Sequence, residues 1–231
     1  MGKIINYLAI IPARGGSKRI PNKNLVLINK KPLIYYTIKA ALGAKKINEV
    51  VVSTDNLKIA TYAKKIGATV PFLRPAEIAQ DKSLVIDALS HAAKQLEEKG
   101  EKIENIILLQ PTSIFRTEKH LTEAIKEYER LKPDTLTSVS EAREHPYYGW
   151  RVKNKEIVPL FGKRTQILGR HALPEIVFEN GAIYIFKRAL LKKGTIYGKK
   201  IVPYFMDEVS SLDIDTIADL KYAQYLKESP K

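Results

Sequence analysis

Cysteine is absent from the 231 residues, so the chain has no disulfide, no thiolate nucleophile and no zinc-thiolate site. Its four histidines, His91, His120, His145 and His171, lie far apart without a His-x-x-x-His or His-Glu-x-x-His pattern, so they do not read as metal ligands. No apolar run approaches the roughly 18–20 residues of a membrane span. The apolar stretch entered from Met1-Gly2-Lys3-Ile4-Ile5 is too short for a signal h-region, and the expectation is a soluble cytoplasmic protein. No Pro/Gly/Ser tract is present, which argues against disordered and collagen-like classes. The most telling absence is local. From Met1 to Asn48 there is no acidic residue, while Lys3, Arg14, Lys18, Arg19, Lys23, Lys30, Lys31, Lys39, Lys45 and Lys46 supply +10 of an overall +14.

What is present is a rhythm of short apolar runs and amphipathic stretches, the pattern of βαβ units building a mostly parallel sheet. Tyr7–Ile11 reads as a buried first strand, followed by a helix over Pro32–Leu42, a strand over Glu49–Ser53 and a helix over Asn56–Ile66 closed by Gly67. Thr69–Leu73 reads as a third strand, Leu84–Glu98 as a helix, Asn105–Leu109 as a strand, Glu118–Leu131 as a helix, and Asp134–Val139 as a strand. From about Glu141 to Ala172 the rhythm breaks into irregular aromatic and basic residues, read as an inserted β-rich arm. Strands at Ala182–Phe186 and Lys200–Phe205 and a last helix from Thr216 complete the pattern. The organisation expected is a core of residues 1–140 and 173–231 with an insertion at 141–172.

The first strand runs into Pro12-Ala13-Arg14-Gly15-Gly16-Ser17-Lys18-Arg19-Ile20-Pro21-Asn22-Lys23-Asn24. Ligands of parallel sheets bind at the carboxyl ends of strands, so this loop stands where a site belongs. Gly15 and Gly16 let backbone N–H groups approach an oxyanion, Ser17 adds a hydroxyl, and four cations fall within ten residues. The composition is that of a polyphosphate cradle. It is neither a Walker A loop nor a Gly-x-Gly-x-x-Gly fingerprint. At the other end of the chain, Asp213-Ile214-Asp215 places two carboxylates on one side of an extended segment, able to share a hard cation such as magnesium; Asp215 could equally cap the helix that follows.

The loop from Ile11 to Asn24 resembles the signature of the sugar-acid cytidylyltransferases, specifically the acylneuraminate group. The resemblance continues through Val52-Ser53-Thr54-Asp55, Val70-Pro71-Phe72-Leu73-Arg74-Pro75, Ala79-Gln80-Asp81, Leu109-Gln110-Pro111-Thr112-Ser113, Asn180-Gly181-Ala182-Ile183-Tyr184 and Asp213-Ile214-Asp215-Thr216, in order along nearly the whole chain. It implies a three-layer Rossmann-like α/β nucleotidyltransferase fold with a small β-rich dimerisation arm. It also implies magnesium-dependent transfer of CMP from CTP to the anomeric hydroxyl of a nonulosonic sugar acid. On this resemblance Arg14, Gly16, Ser17, Lys18 and Lys23 hold the triphosphate, with Arg14 and Lys23 catalytic, and Asn24 contacts the nucleotide's sugar. Arg74, Ala79 and Ser83 belong to a cytosine-contacting loop, in which Arg74 could alternatively be a surface ion pair. Gln110, Arg164, Arg170 and Tyr184 face the sugar acid, and Asp213 and Asp215 hold the metal.

Where the family commonly has Arg-Gln-Asp-Leu-Pro, this chain has Arg170-His171-Ala172-Leu173-Pro174, which leaves the sugar acid open among sialic, legionaminic, pseudaminic and 3-deoxy-manno-octulosonic acids. The last is disfavoured because Arg14–Pro21 lacks the Arg-Tyr-x-Ser-x-Arg-Leu-Pro loop of those enzymes. Glu144-His145-Pro146-Tyr147-Tyr148-Gly149-Trp150 resembles the start of the family's dimerisation arm, implying a homodimer whose arm approaches the partner's site. The competing class is a nucleic-acid-binding protein using the +14 charge, but no helix-turn-helix, RRM-like or OB-type motif accompanies it. The expected partners are therefore CTP, a sugar acid and a second copy, with no nucleic acid and no membrane.

Overall fold

Strand β1 (Ile4–Pro12) is apolar almost throughout because it lies inside the sheet and is covered on both faces. The computed structural model describes residues 2–142, 144–161, 169 and 172–228. Along β1, Tyr7, Ala9 and Ile11 point to one layer and Leu8 and Ile10 to the other, the alternation that a pleated strand imposes. The first layer is built by α1 (Leu33–Gly43), α2 (Leu57–Lys65) and α4 (Glu118–Leu131), through Ile34, Ile38, Ala60, Ala63, Leu121 and Ile125. The second is built by α3 (Val85–Glu97) and the 3-10 helix Arg188–Lys193, through Leu89, Ala92, Leu96, Leu190 and Leu191.

The central sheet has six strands in the order β10 (Ile201–Phe205), β6 (Thr135–Glu141), β9 (Val177–Lys187), β5 (Lys102–Leu108), β1 and β4 (Glu49–Ser53). The pairs β10–β6, β5–β1 and β1–β4 are parallel, whereas β9 runs antiparallel to both of its neighbours. A register shift at Thr137/Val139 breaks the β6–β9 ladder opposite Gly181, which sits at φ +75, where a side chain is strained. The third strand expected over Thr69–Leu73 is only an isolated bridge between Val51 and Thr69; Phe72 turns away to pack on His91, and Arg74 turns inward.

A third, smaller core does the positioning for function. Strands β2 (Leu27–Ile28) and β3 (Lys31–Pro32) form a two-stranded hairpin whose turn residues Asn29 and Lys30 both have positive φ, as tight hairpins require. This hairpin, Ile20 and Leu33 pack with Ile114, Leu212, Ile214 and the inner face of α5 (Ile217–Glu228), on Leu220 and Ala223. Sequence positions nearly 200 residues apart are thereby pressed together. Between β6 and β9, β7 (Trp150–Lys153) and β8 (Glu156–Pro159) form a separate antiparallel hairpin turned by Asn154 and Lys155 at positive φ. Tyr147 stacks on Phe161 beside it at 5.2 Å.

Candidate active site

The carboxyl ends of β1, β4 and β5 open onto a cleft of about 540 Å³. Its walls include Arg14, Gly16, Ser17, Lys18, Lys23 and Asn24 from the loop after β1, Arg74 and Ser83 from the segment after β4, Gln110 after β5, and Asp215. The two glycines differ. A Cβ on Gly15 would stand 2.8 Å from Asn56 Nδ2 and 2.9 Å from Asn56 Cβ, whereas one on Gly16 would meet nothing within 4 Å. Gly15 is therefore needed for packing, and Gly16 leaves room over the loop for a ligand.

The loop's cations are not free of carboxylates, as their isolation in sequence suggests. Arg14 Nη1 lies 3.1 Å from Asp81 Oδ1, and Lys18 Nζ lies 2.5 Å from Asp81 Oδ2. The hydrogen bond from Lys18, with Arg14 adding to it, holds the Asp81 carboxyl below its ordinary range. Arg14 Nη1 also donates to the Gln80 carbonyl at 2.9 Å. Gly15 N–H donates to Asp55 Oδ1 at 2.8 Å, and Asn24, 8% exposed, donates to the Arg14 carbonyl at 3.0 Å. Asn24 Oδ1 is buried with no partner.

Lys23 closes the site. Its side chain is 16% exposed, and Nζ donates to Asp215 Oδ1 and to the Ile214 carbonyl, each at 2.9 Å. Arg19 Nη1 reaches Asp215 Oδ2 at 3.4 Å. The small core around Ile20, Ile28 and Ile214 makes this meeting possible. Asp215 does not cap α5. Thr216 Oγ1 accepts from the Asp219 N–H while Asp219 Oδ2 accepts from Thr216 N–H, a reciprocal cap that leaves the Asp215 carboxylate to the cleft.

Asp213 lies just beyond, on the wall of a neighbouring cavity of about 1100 Å³. Burial pushes its carboxyl above the ordinary range; a hydrogen bond from Thr112 and the nearby Lys23 act against that, and Asp215 adds to it. Asp213 Oδ1 is buried and accepts nothing. An unsatisfied buried carboxylate oxygen beside a second carboxylate suits a divalent cation that takes its remaining ligands from water and phosphate. Among the described residues no group of three or more His, Asp or Glu could hold a metal by itself.

Arg74 is 7% exposed and is no surface ion pair. Its Nε donates to Ser53 Oγ at 3.1 Å and its Nη2 to the Ser53 carbonyl, and burial lowers its pKa. The loop that follows is knotted on itself by Ser83, whose Oγ accepts from Gln80 N–H at 2.9 Å. Ala79 is not on the cleft wall; its neighbours Ile78 and Gln80 are. The structure does not bring Tyr184 to the cleft either. Its ring is buried in the α3 layer, and its hydroxyl lies 3.4 Å from Glu179 Oε2. Arg164 and Arg170 lie outside the described residues. Sequence reasoning missed Asp55 and Asp81 as partners of the loop, and Arg116, a buried arginine behind Gln110. Nothing in the sequence around Arg116 announces its burial.

The family model described as cytidylyltransferase matches residues 8–229. The N-acylneuraminate cytidylyltransferase of Escherichia coli O18:K1:H7 is 35% identical over 218 residues, covering 94% of this chain and 51% of that protein. The chain thus spans about half the length of that relative. The CMP-N,N'-diacetyllegionaminic acid synthase of Legionella pneumophila is 34% identical over 229 residues, covering 97% of each chain. Among solved structures, CMP:2-keto-3-deoxy-manno-octonic acid synthetase complexed with CTP superposes with a TM-score of 0.70 at 19% identity, covering 96% of this chain and 98% of that one, and so shares the fold. A mixed, mostly parallel sheet carrying a basic loop at the end of β1, together with a family match over nearly its whole length, makes this chain a member of the cytidylyltransferase family and a nucleotidyltransferase.

Proposed function

We propose that the protein transfers CMP from CTP to the anomeric hydroxyl of a sialic-acid-like nonulosonic acid with the help of magnesium, in the cytoplasm. The observation that carries this reading is the junction at Lys23, where a basic glycine-containing loop meets Asp215 in one cleft, with Asp213 on the wall of the cavity beside it. In the reaction the anomeric hydroxyl gives up its proton to solvent as its oxygen bonds to the α-phosphorus, the bond from that phosphorus to the bridging oxygen breaks, and pyrophosphate leaves with the electron pair. Charge grows on the phosphoryl oxygens, and preorganised donors aimed at them carry most of the catalysis.

Arg14, Ser17 and Lys18 are suited to the β- and γ-phosphates, with the open space over Gly16 admitting them. Lys23, nearest to the carboxylates, is suited to the α-phosphate, and Asn24 with its idle Oδ1 to a ribose hydroxyl. The folded loop from Arg74 to Ser83 offers backbone groups to cytosine through Ile78 and Gln80, which line the cleft where Ala79 does not. Gln110 faces the acceptor. Asp213 and Asp215 would hold the metal, which supplies positive charge to the phosphates. A homodimer built through the segment around β7 and β8 fits its exposed Trp150, Val152 and Ile157, and would bring Arg164 and Arg170 into consideration as acceptor clamps.

The Legionella relative keeps legionaminic acid beside sialic acid as the acceptor. The test is pyrophosphate release with CTP, UTP, ATP or GTP, a panel of nonulosonic acids, and magnesium present or chelated. Turnover confined to CTP, one acid and added metal is expected. Equal turnover with all four nucleotides, or none with any acid, overturns the proposal.

A further inference from the structure

Arg116 stands in the turn between β5 and α4, and its side chain runs inward until only 2% of the residue is exposed. Taking a guanidinium out of water is costly, and buried arginines are ordinarily paired with a carboxylate. Among the described residues no carboxylate lies within salt-bridge distance of this one. Burial alone pushes its pKa down, to about 9, so it still carries its charge at neutral pH.

Its two terminal nitrogens reach three neutral acceptors, on β9, on α1 and in the loop after β5, while Nε is buried without a partner. Nη1 donates to the Ala182 carbonyl on β9 at 2.6 Å and to the Gln110 carbonyl at 3.3 Å; Nη2 donates to Thr37 Oγ1 on α1 at 2.6 Å. Thr37 Oγ1 in turn lies 3.3 Å from the Pro111 carbonyl and 3.4 Å from that of Gln110. The same stretch of β9 meets the Gln110 side chain: a Cβ on Gly181 would stand 3.3 Å from Gln110 Oε1. Gln110 is thus gripped by its carbonyl through Arg116 and laid against Gly181 by its side chain. The Asn180-Gly181-Ala182 motif acquires a role as the seat of both.

We propose that Arg116 is the positioning residue of the acceptor half of the site, holding Gln110 and leaving an unneutralised positive charge behind it that favours an anionic acceptor. A guanidinium kept solely for folding would gain from a carboxylate partner, whereas one kept for its field would lose by it. The nucleotide half has its own cations, Arg14, Lys18 and Lys23, so the effect belongs to one substrate only.

This inference rests on the acceptor chemistry proposed above, and the experiment separates the two. Wild-type protein is first assayed with CTP and the sugar-acid panel; absence of turnover with every acid overturns that chemistry and this proposal together. With a working wild type, Arg116→Met is expected to raise KM for the sugar acid about tenfold or more, the scale of losing hydrogen bonds from a charged donor, with KM for CTP within about twofold. Arg116→Lys, which restores the charge, is expected to recover part of the acceptor KM. In a Gln110→Ala background the Arg116→Met effect should shrink, because the group being positioned is gone. Thr37→Val, which removes one acceptor and leaves the arginine, should shift the acceptor KM in the same direction, and it serves if Arg116→Met does not fold. Equal rises in both KM values, a lowered melting temperature with the KM ratio unchanged, or additive effects of Arg116→Met and Gln110→Ala overturn the assignment of Arg116 alone.

Discussion

Replacing Lys23 by alanine separates catalysis from stability with unusual clarity. The ammonium makes two bonds of 2.9 Å, to Asp215 Oδ1 and to the Ile214 carbonyl, and the Asp215 side chain is half exposed. A half-exposed ion pair and one hydrogen bond to a carbonyl together contribute about 1–2 kcal/mol to folding. For a chain of this size that lowers the melting temperature by roughly 2–8 °C. Loss of one donor to a transition-state oxyanion removes about 2.7–4 kcal/mol, or roughly 10²–10³-fold in turnover. The variant should therefore be folded at 25 °C and nearly inactive there. Stopped assays of pyrophosphate release, run beside thermal unfolding followed by circular dichroism, read both quantities. Turnover within about threefold of wild type would refute the role of Lys23 in chemistry. A loss that disappears on cooling below the onset of unfolding would show that the bond matters only for the fold.

The glycine pair offers a contrast. Gly15→Ala should lower stability by about 1–3 kcal/mol because its Cβ runs into Asn56, while Gly16→Ala should leave the melting temperature unchanged and raise KM for CTP. Equal effects on both quantities at both positions would contradict the geometry. Asp213→Asn should raise the magnesium concentration needed for half-maximal rate while leaving KM for the sugar acid little changed; an unaltered magnesium titration would remove Asp213 from the metal site. Asp134 accepts from Lys187 Nζ and the Lys199 and Lys200 amides, the lysine bond first, and its pKa falls to about 2 from 3.8. A carboxylate whose folded pKa is depressed contributes stability above its unfolded pKa and loses it as pH falls through the folded one. Asp134→Asn should accordingly melt below wild type at neutral pH, with the gap closing between pH 3.8 and about 2; a gap independent of pH would refute the assignment.

Periodicity carried most of the fold. The strand Glu49–Ser53 and the helix Glu118–Leu131 have the bounds read from their apolar spacing, since both are set by local burial and, for the helix, by the Thr117 cap. The reversed direction of β9 was not legible, because a buried strand has the same apolar run whichever way it points. The basic loop after β1 announced itself through local chemistry, a glycine pair among four cations. Its partners did not: Asp55, Asp81 and Asp215 reach it through tertiary packing, and no spacing rule connects residue 23 with residue 215. Arg116 was invisible for the converse reason. An arginine ahead of a helix cap ordinarily lies in solvent, and only the fold of α1 and β9 over it makes it buried.

The reversed strand has an architectural consequence of its own. Glu141 and Val177 are cross-strand partners, so the segment between them departs from and returns to the same rim of the sheet, the rim that holds the cleft. Lengthening such an excursion adds only about 0.6 kcal/mol of closure entropy per doubling and disturbs no ladder. A lineage can therefore rewrite this stretch wholesale while the cleft built on β1 and the approach to α5 stays untouched.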